Sequence, residues 1–411
     1  MQGTAGHILQ TALHGLEWTE NGRSLDDFLD RTPDNCRNAV GFVLFALFRN
    51  RKSIDRLLRQ FVRRAPEKRV MDLLEVTAAQ IFYCNGIAGE SAVNVAVDHC
   101  RKKIHPKAAG FVNAVLRKTT TCTLPEVTAP EDILPDPVLK HWQKIYTPEQ
   151  VASLAQAFIS KPDAVFRCTG NNLPDDEELA QLHSEKLPEP FEGCPFQFCR
   201  TENLAHVLAS PGWTSGKWYI QDPAAALAVT LADFSKVRRA LDICAAPGGK
   251  SLMLAELMPS GSLLVAADRS ENRQKLTREN FIRRGWDFPT PALPPEKLPE
   301  HWKDFDLVLA DVPCSNTGVF RRRPDALWRF RENTIGDLRD LQLHLLEEAA
   351  KRVAPGGQLL YSTCSIDPEE NAGRCAEFLA QHPEFRDGGS RQLFPNDRHD
   401  GAYAHLLRKT R

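Results

Sequence analysis

Two cysteines of this 411-residue chain each stand directly after a short apolar run, and a thiol so placed can do chemistry. The run 305–311 reads Phe-Asp-Leu-Val-Leu-Ala-Asp and leads through Val312 and Pro313 to Cys314. The run 360–363 reads Leu-Tyr-Ser-Thr and leads to Cys364. A lone cysteine after a strand is usually a small buried hydrophobe. Two of them, each flanked by small polar residues and one beside an Asp-x-Pro turn, point instead to nucleophilic catalysis by a thiolate. Position alone leaves Cys314 and Cys364 equal candidates for the attack.

A third motif suggests what would share the site. The run 241–251, Leu-Asp-Ile-Cys-Ala-Ala-Pro-Gly-Gly-Lys-Ser, leaves one apolar stretch and enters a helical one. Ala245, Ala246, Gly248 and Gly249 carry little or no side chain, so a ligand can approach the backbone amides closely. A Walker A loop would need glycine where Cys244 stands, and the Gly-x-Gly-x-x-Gly of nicotinamide loops is absent. S-adenosyl-L-methionine remains, since its amino-acid end needs no phosphate cradle. The next apolar run, 263–267, ends at Asp268, about 20 residues past the turn, where a carboxylate accepts hydrogen bonds from ribose hydroxyls. Cys244 to Gly249, with Pro247, Lys250, Asp268 and Asp311, form the expected cofactor set.

A thiol and a methyl sulfonium have one natural joint use. Carbon 5 of cytosine is a poor nucleophile until a thiolate adds to carbon 6 and makes it enamine-like. The thiol must be deprotonated, which asks for a nearby cation. Lys250 is the candidate cation, and Asp311 could hydrogen-bond the ring nitrogen or amine.

Such residues must be held at the ends of strands. From 218 onward apolar runs alternate with helical segments: strands are expected over 240–245, 263–267, 306–311 and 358–362, and helices over 250–257, 271–284, 335–353 and 369–382. That alternation predicts a doubly wound, Rossmann-like α/β domain over 218–411 with its ligand at the carboxyl ends of the strands. Residues 1–123 read as all helical, with apolar positions at helical spacing in Val40, Val43, Leu44 and Leu47. Residues 124–217 are proline-rich and acidic, and read as a linker with a small α/β subdomain. Charge divides the same way. Residues 1–125 hold 18 basic against 12 acidic side chains and residues 126–215 hold 6 against 14, although the whole chain nets −1. The basic N-terminal segment, with nine basic residues over 49–69, is a candidate for a polyanion.

The eleven cysteines are odd in number and include no Cys-x-x-Cys pair, so neither a disulfide framework nor a zinc site is expected. No signal peptide or long apolar run is present, which predicts a cytoplasmic chain with no membrane contact.

The three motifs together resemble the Sun (Fmu) family of bacterial 16S ribosomal RNA cytosine-5 methyltransferases. They are Asp-Ile-Cys-Ala-Ala-Pro-Gly-Gly-Lys-Ser at 242–251, Asp-Val-Pro-Cys-Ser-Asn-Thr-Gly at 311–318 and Tyr-Ser-Thr-Cys-Ser-Ile-Asp-Pro-Glu-Glu-Asn at 361–371. Tyr219-Ile-Gln-Asp222 and Asp400-Gly-x-Tyr403-Ala404 fit as well. The resemblance implies methyl transfer from S-adenosyl-L-methionine to RNA, with Cys364 as the nucleophile and Cys314 assisting release. Segments 91–98 and 107–117 resemble the NusB-like RNA-binding domain that the family carries. The expected partner is therefore RNA, 16S ribosomal RNA first and transfer RNA second, acted on by a monomer without a metal.

Two features depart from the pattern. The family has an acid after its third strand, on the adenine side of the cofactor. Here 288–297 reads Phe-Pro-Thr-Pro-Ala-Leu-Pro-Pro-Glu-Lys, without an aspartate and with prolines that disfavour a regular strand. Ala402 stands where the family favours an aromatic residue. The missing acid is the best support for a competing reading, a non-catalytic RNA-binding assembly factor with a relict cofactor domain. The segment 321–331 mixes arginines with Trp328 and Phe330, as an RNA cleft would for phosphate contact and base stacking.

Overall fold

The computed structural model describes residues 5–84, 88–170 and 172–410. Their contacts divide the chain into two compact units. One comprises residues 1–161 with 320–332, and the other comprises 162–319 with 333–411. No helix among the described residues is long and apolar enough to cross a membrane.

The first unit is helical throughout. The helices Ala5–Glu20, Asp34–Arg59, Lys68–Tyr83, Gly89–His99 and Ala109–Thr119 surround a core that includes Leu9, Leu44, Leu47, Phe48, Leu73 and Leu116. The spacing of these apolar residues follows the 3.6-residue period, which is why one stripe of each helix is buried. Composition places a boundary at 123, whereas contacts place it at 161. The helices Asp136–Ile145 and Pro148–Ile159 belong to this unit, and Trp142 and His141 pack on Phe320 and Phe330 at ring separations of 5.9 and 5.3 Å.

The basic, aromatic segment 321–331 is spent on this packing rather than left open for base stacking. Phe330 is buried, and Trp328 Nε1 donates to the Phe48 carbonyl at 2.6 Å while its ring lies under the Arg51 guanidinium. Arg321 is buried, Arg323 pairs with Asp26 at 2.8 Å, and Arg329 pairs with Asp325 at 3.1 Å. Part of the 49–69 charge is likewise internal, since Arg51 bridges Glu20 and Glu75 at 2.6 and 2.8 Å. Phe330→Ala should therefore destabilise the protein by about 3–5 kcal/mol in a denaturant melt, the usual cost of emptying a buried aromatic site.

The second unit holds two sheets. The strands β1 (Ala164–Cys168), β2 (Ser184–Leu187), β3 (Gln197–Thr201) and β4 (Trp218–Ile220) form an antiparallel sheet in the order β2-β3-β1-β4. The strands β5 (Arg239–Asp242), β6 (Leu263–Ala266), β7 (Phe305–Asp311), β8 (Val353–Thr363), β9 (Phe385–Leu393) and β10 (Ala402–Lys409) form the main sheet in the order β6-β5-β7-β8-β10-β9. The first four of these run parallel, and β10 is antiparallel to both neighbours. Helices Gly249–Leu257, Glu271–Arg283 and Thr334–Ala350 connect the parallel strands, and both faces of the sheet are buried in apolar clusters. The fully buried Arg167 of β1 ties the small sheet to the helix Gly249–Leu257. It pairs with Glu256 at 2.6 Å and donates to Gln221 at 2.9 Å.

The proline-rich stretch runs beside β6 without becoming a strand. Ala266 and Asp268 donate their amides to the Pro289 and Pro291 carbonyls at 3.0 and 3.3 Å, but the prolines have no N–H to return. The buried Gln274 stands in for a missing donor, its Nε2 reaching the Ala266 and Pro291 carbonyls at 2.7 and 3.0 Å. A side chain from a helix thus completes an edge that prolines leave half-bonded.

Candidate active site

Four loops at the carboxyl ends of β5, β6, β7 and β8 carry the residues singled out from sequence. The first begins at Asp242, which is buried beneath the turn, accepting from the Cys244 amide at 3.3 Å and the Ser251 hydroxyl at 2.7 Å. Gly248 has φ +98°, and a Cβ there would meet Thr277 at 3.1 Å. A Cβ on Gly249 would meet the Gln221 amide nitrogen at 2.7 Å, so that side chain would have to move aside, whereas at Gly248 the left-handed backbone itself favours glycine. Asn280 Nδ2 donates to the Pro247 carbonyl at 2.9 Å and holds the far side of the turn.

Asp268 is buried and fixes two features at once. It accepts from the Ala246 amide at 3.2 Å and from the Ser270 amide at 2.9 Å, beside the helix that Ser270 caps. Arg273 approaches it to 3.7 Å and donates to the Ala246 carbonyl. The capping surroundings and a ligand-facing carboxylate are therefore compatible, since each oxygen retains a lone pair.

Burial pushes the Asp242 carboxyl up to about 7, and the field of Asp311 adds to the shift against the Ser251 hydrogen bond. Because the folded value lies above the unfolded one, Asp242 contributes stability that is complete below about pH 4 and lost as pH rises through about 7. Asp242→Asn should flatten the fall in thermal midpoint between about pH 4 and pH 7, measured by calorimetric scans of both proteins.

Lys250 Nζ donates to Asp311 Oδ2 at 2.7 Å, and Ser362 donates to the other oxygen of Asp311. Burial alone would lower the lysine, but Asp311 and then Cys364 more than offset it, so Lys250 is held as an ammonium. Cys314 and Cys364, both half-buried, bring their sulfurs to 3.2 Å. Asn316, in the left-handed region at φ +64°, accepts from Cys364 Sγ at 3.4 Å and donates to the Cys314 carbonyl at 3.1 Å. The Cys314 thiol is pushed well up by its contact with Cys364, then by burial and by the fields of Cys364 and Glu370.

Beside these groups lies a cavity of about 90 Å³ whose polar lining includes Lys250, Cys364, Asp222 and Asp400 and whose walls include Ala224, Ala228 and Ala402. Asp222 accepts from the Asp400 amide at 3.0 Å, and Gly401 donates to the Gly318 carbonyl at 2.8 Å. A Cβ on Gly318 would strike the Cys364 carbonyl at 2.7 Å, so this glycine lets the two cysteine turns meet. Sequence matching marks Asp222 and Asp400 as motif residues without a role. The structure adds Asn316 and Glu370, which lie inside the motifs at 311–318 and 361–371 but were given no role from sequence.

The turn, Asp268, Asp311, Lys250 and both thiols are thus close neighbours in one unit. Residues 229–399 match the family model described as 16S rRNA methyltransferase RsmB/F, and residues 5–121 match that of the NusB family. Ribosomal RNA small subunit methyltransferase B of Klebsiella pneumoniae is 31% identical over 89% of this chain and 87% of its own length. The probable ribosomal RNA small subunit methyltransferase B of Bacillus subtilis is 28% identical over 86% and 82%. The crystal structure of PH0851 covers 99% of both chains with a TM-score of 0.76 at 22% identity, which shows a shared fold. NSun6 from Pyrococcus horikoshii with SFG covers 67% of this chain and 98% of its own, with a TM-score of 0.56 at 17% identity. Through these matches in both units, the chain belongs to the RsmB/F family of 16S rRNA methyltransferases and carries a NusB-family domain at its N-terminal end.

Proposed function

We propose that the protein methylates carbon 5 of a cytosine in RNA, with 16S ribosomal RNA as substrate, through a covalent adduct on Cys364. One observation carries this reading. Two thiols 3.2 Å apart lie at the ends of neighbouring strands, beside an ammonium–carboxylate pair and a small-residue turn.

The charge around the turn supports S-adenosyl-L-methionine as the cofactor. Burial raises the Cys244 thiol well above its usual range, and the fields of Asp242, Asp311 and Asp268 raise it further. Asp268 and Asp311 near the turn suit a ligand carrying a sulfonium and an ammonium, and repel a phosphate. Turn residues 244–249 would hold the methionine end and Asp268 the ribose. When bound, the cofactor supplies an electrophilic methyl group.

The chain's own groups do the rest. Cys364, close to the Lys250 ammonium, adds as a thiolate to carbon 6 of the base. Asp311, oriented by Lys250 and Ser362, hydrogen-bonds the ring so that it can accept the sulfur. After methyl transfer, a water molecule takes the carbon 5 proton, the electrons of the C–H bond reform the ring double bond, and Cys364 leaves as a thiolate. Cys314, kept protonated, is placed to donate its S–H to the departing sulfur.

The test is transfer of labelled methyl from S-adenosyl-L-methionine to 16S ribosomal RNA, followed by bisulfite sequencing. One protected cytosine that depends on the protein is the expected result. Protection confined to transfer RNA would move the substrate, and absence of both transfer and cofactor binding by calorimetry would favour a non-catalytic assembly role.

A further inference from the structure

Cys314 and Cys364 follow neighbouring parallel strands in which Asp311 stands opposite Ser362, so the two turns leave the sheet side by side. Their sulfurs meet at 3.2 Å, little more than an ångström beyond the ~2.05 Å of a disulfide bond. The approach is built into the frame of the site. The Gly318 amide donates to the Cys364 carbonyl at 3.0 Å, and Asn316 Nδ2 donates to the Cys314 carbonyl at 3.1 Å. Two consecutive buried residues, Glu370 and Asn371, tie the turns together. Glu370 accepts from the Ser315 amide at 2.8 Å, while Asn371 accepts from the Thr363 hydroxyl at 2.6 Å and donates to the Ser365 carbonyl at 2.9 Å. The residue after Cys314 and the residues on both sides of Cys364 are therefore held, and the sulfurs stay in contact.

Contact alone does not make a redox pair. Cys168 of β1 and Cys199 of β3 also bring their sulfurs together, at 3.9 Å. Both are buried in an apolar core with Phe166, Val207 and Trp218, where a dissolved reagent arrives only through local unfolding. Cys314 and Cys364 are only half-buried, and Cys364 lines the cavity of about 90 Å³ beside Lys250. A peroxide, little larger than water, fits that space. Of these two pairs, one is sealed and the other is open to small oxidants.

We propose that Cys314 and Cys364 are a site of reversible oxidation: a peroxide joins them as a disulfide, and the bond switches the active site off. One sulfur, as thiolate, attacks a peroxide oxygen; the S–O bond forms, the O–O bond breaks, and the hydroxide that leaves takes a proton to become water. The second sulfur attacks the resulting sulfenic sulfur; the S–S bond forms, the S–O bond breaks, and the hydroxyl leaves with the second thiol's proton as another water. Two thiols thus give two electrons to one peroxide, and the product is the same whichever sulfur begins. A dithiol reductant returns both thiols by exchange. The neighbouring sulfur also stops oxidation at a reversible stage, before the irreversible sulfinic acid. Formation of the bond stands on the geometry alone. Its effect on activity rests on the covalent methyl-transfer reading, because a sulfur held in a disulfide cannot add to the base.

The first arm of the test needs no RNA. The intact wild-type protein is treated with hydrogen peroxide, its remaining thiols are capped with iodoacetamide in denaturant, and it is digested with trypsin without reductant. Mass spectrometry should show the peptides 304–321 and 353–374 joined, lighter than their sum by two hydrogens, and separated again by dithiothreitol. Cys168 and Cys199 should remain capped in the same sample. Sulfinic acid on either active-site cysteine with no joined peptide, or capping of both after exposure to peroxide, would overturn the proposal. In Cys314→Ser, Cys364 lacks its partner and should pass to sulfinic acid, which dithiothreitol does not remove; a Cys364 that resists to the same degree as in the wild type would count against the pair. The second arm measures methyl transfer from labelled S-adenosyl-L-methionine to 16S ribosomal RNA by the oxidised wild type. Activity should fall by at least roughly tenfold and return on treatment with dithiothreitol. Full activity in a protein whose peptides are joined would leave the bond without a switching role. If the reduced protein transfers no methyl group, the methyl-transfer reading falls, and the joined peptide still decides the bond.

Discussion

Cys364→Ala should abolish methyl transfer, lowering single-turnover rates by on the order of 10⁴ or more. The size follows from the chemistry, because without sulfur addition at carbon 6 no other group on the chain can make carbon 5 nucleophilic. Lys250, Asp311 and the turn would remain, so binding of S-adenosyl-L-methionine by calorimetry should stay near the wild-type value. The side chain is half-buried and alanine fits its place, so the thermal midpoint should move little. Retention of wild-type turnover would give the attack to another group, and Cys314 would be the first to examine. Loss of cofactor binding together with turnover would mean that Cys364 holds the turn rather than attacks the base.

Cys314→Ala should give the opposite phenotype at the same site. Attack by Cys364 survives, methyl transfer proceeds once, and release fails, so a covalent protein–RNA adduct accumulates. The expected readout is a band that resists detergent and carries both the RNA label and the transferred methyl group. Multiple turnover should fall by on the order of 10²-fold or more, the usual range for removal of a proton-transfer group. The geometry behind this is the 3.2 Å sulfur contact, together with a Cys314 thiol raised by that contact and by burial. A variant that releases methylated RNA freely, without adduct, would leave Cys314 with no part in release. Treating the double variant Cys314→Ala, Cys364→Ala identically should yield no adduct at all, which identifies the sulfur that holds the RNA.

The motifs were legible because close backbone approach and apolar strands leave a strong mark on residue type. Gly248 is required by its φ of +98°, and Gly318 by backbone atoms 2.7–2.9 Å from where a Cβ would lie. The strands β5 to β8 were legible because both faces of the sheet are buried and the middle of each strand is a run of apolar residues. The strand β9 was not. Its sequence, Phe-Arg-Asp-Gly-Gly-Ser-Arg-Gln-Leu, is polar because it lies at the sheet edge, pairs only with β10 and is largely exposed. The arginine- and tryptophan-bearing segment 321–331 misled for a related reason. Charge and aromaticity describe a side chain but not what covers it, and here Phe48, Asp26, Arg51 and Asp325 do.

Residue order by itself pointed to the class of chemistry: two thiols after two strands, a turn of mostly small residues, and a carboxylate about 20 residues beyond it. Each is a local requirement, so each can be read locally. Tertiary structure alone decided what surrounds the thiols. Lys250 reaches Asp311 across 61 positions, and Glu370 reaches Ser315 across 55. The groups that hold the two cysteine turns in place are these long-range neighbours. A charge acts through distance in space, and distance in space is set by which strands lie side by side.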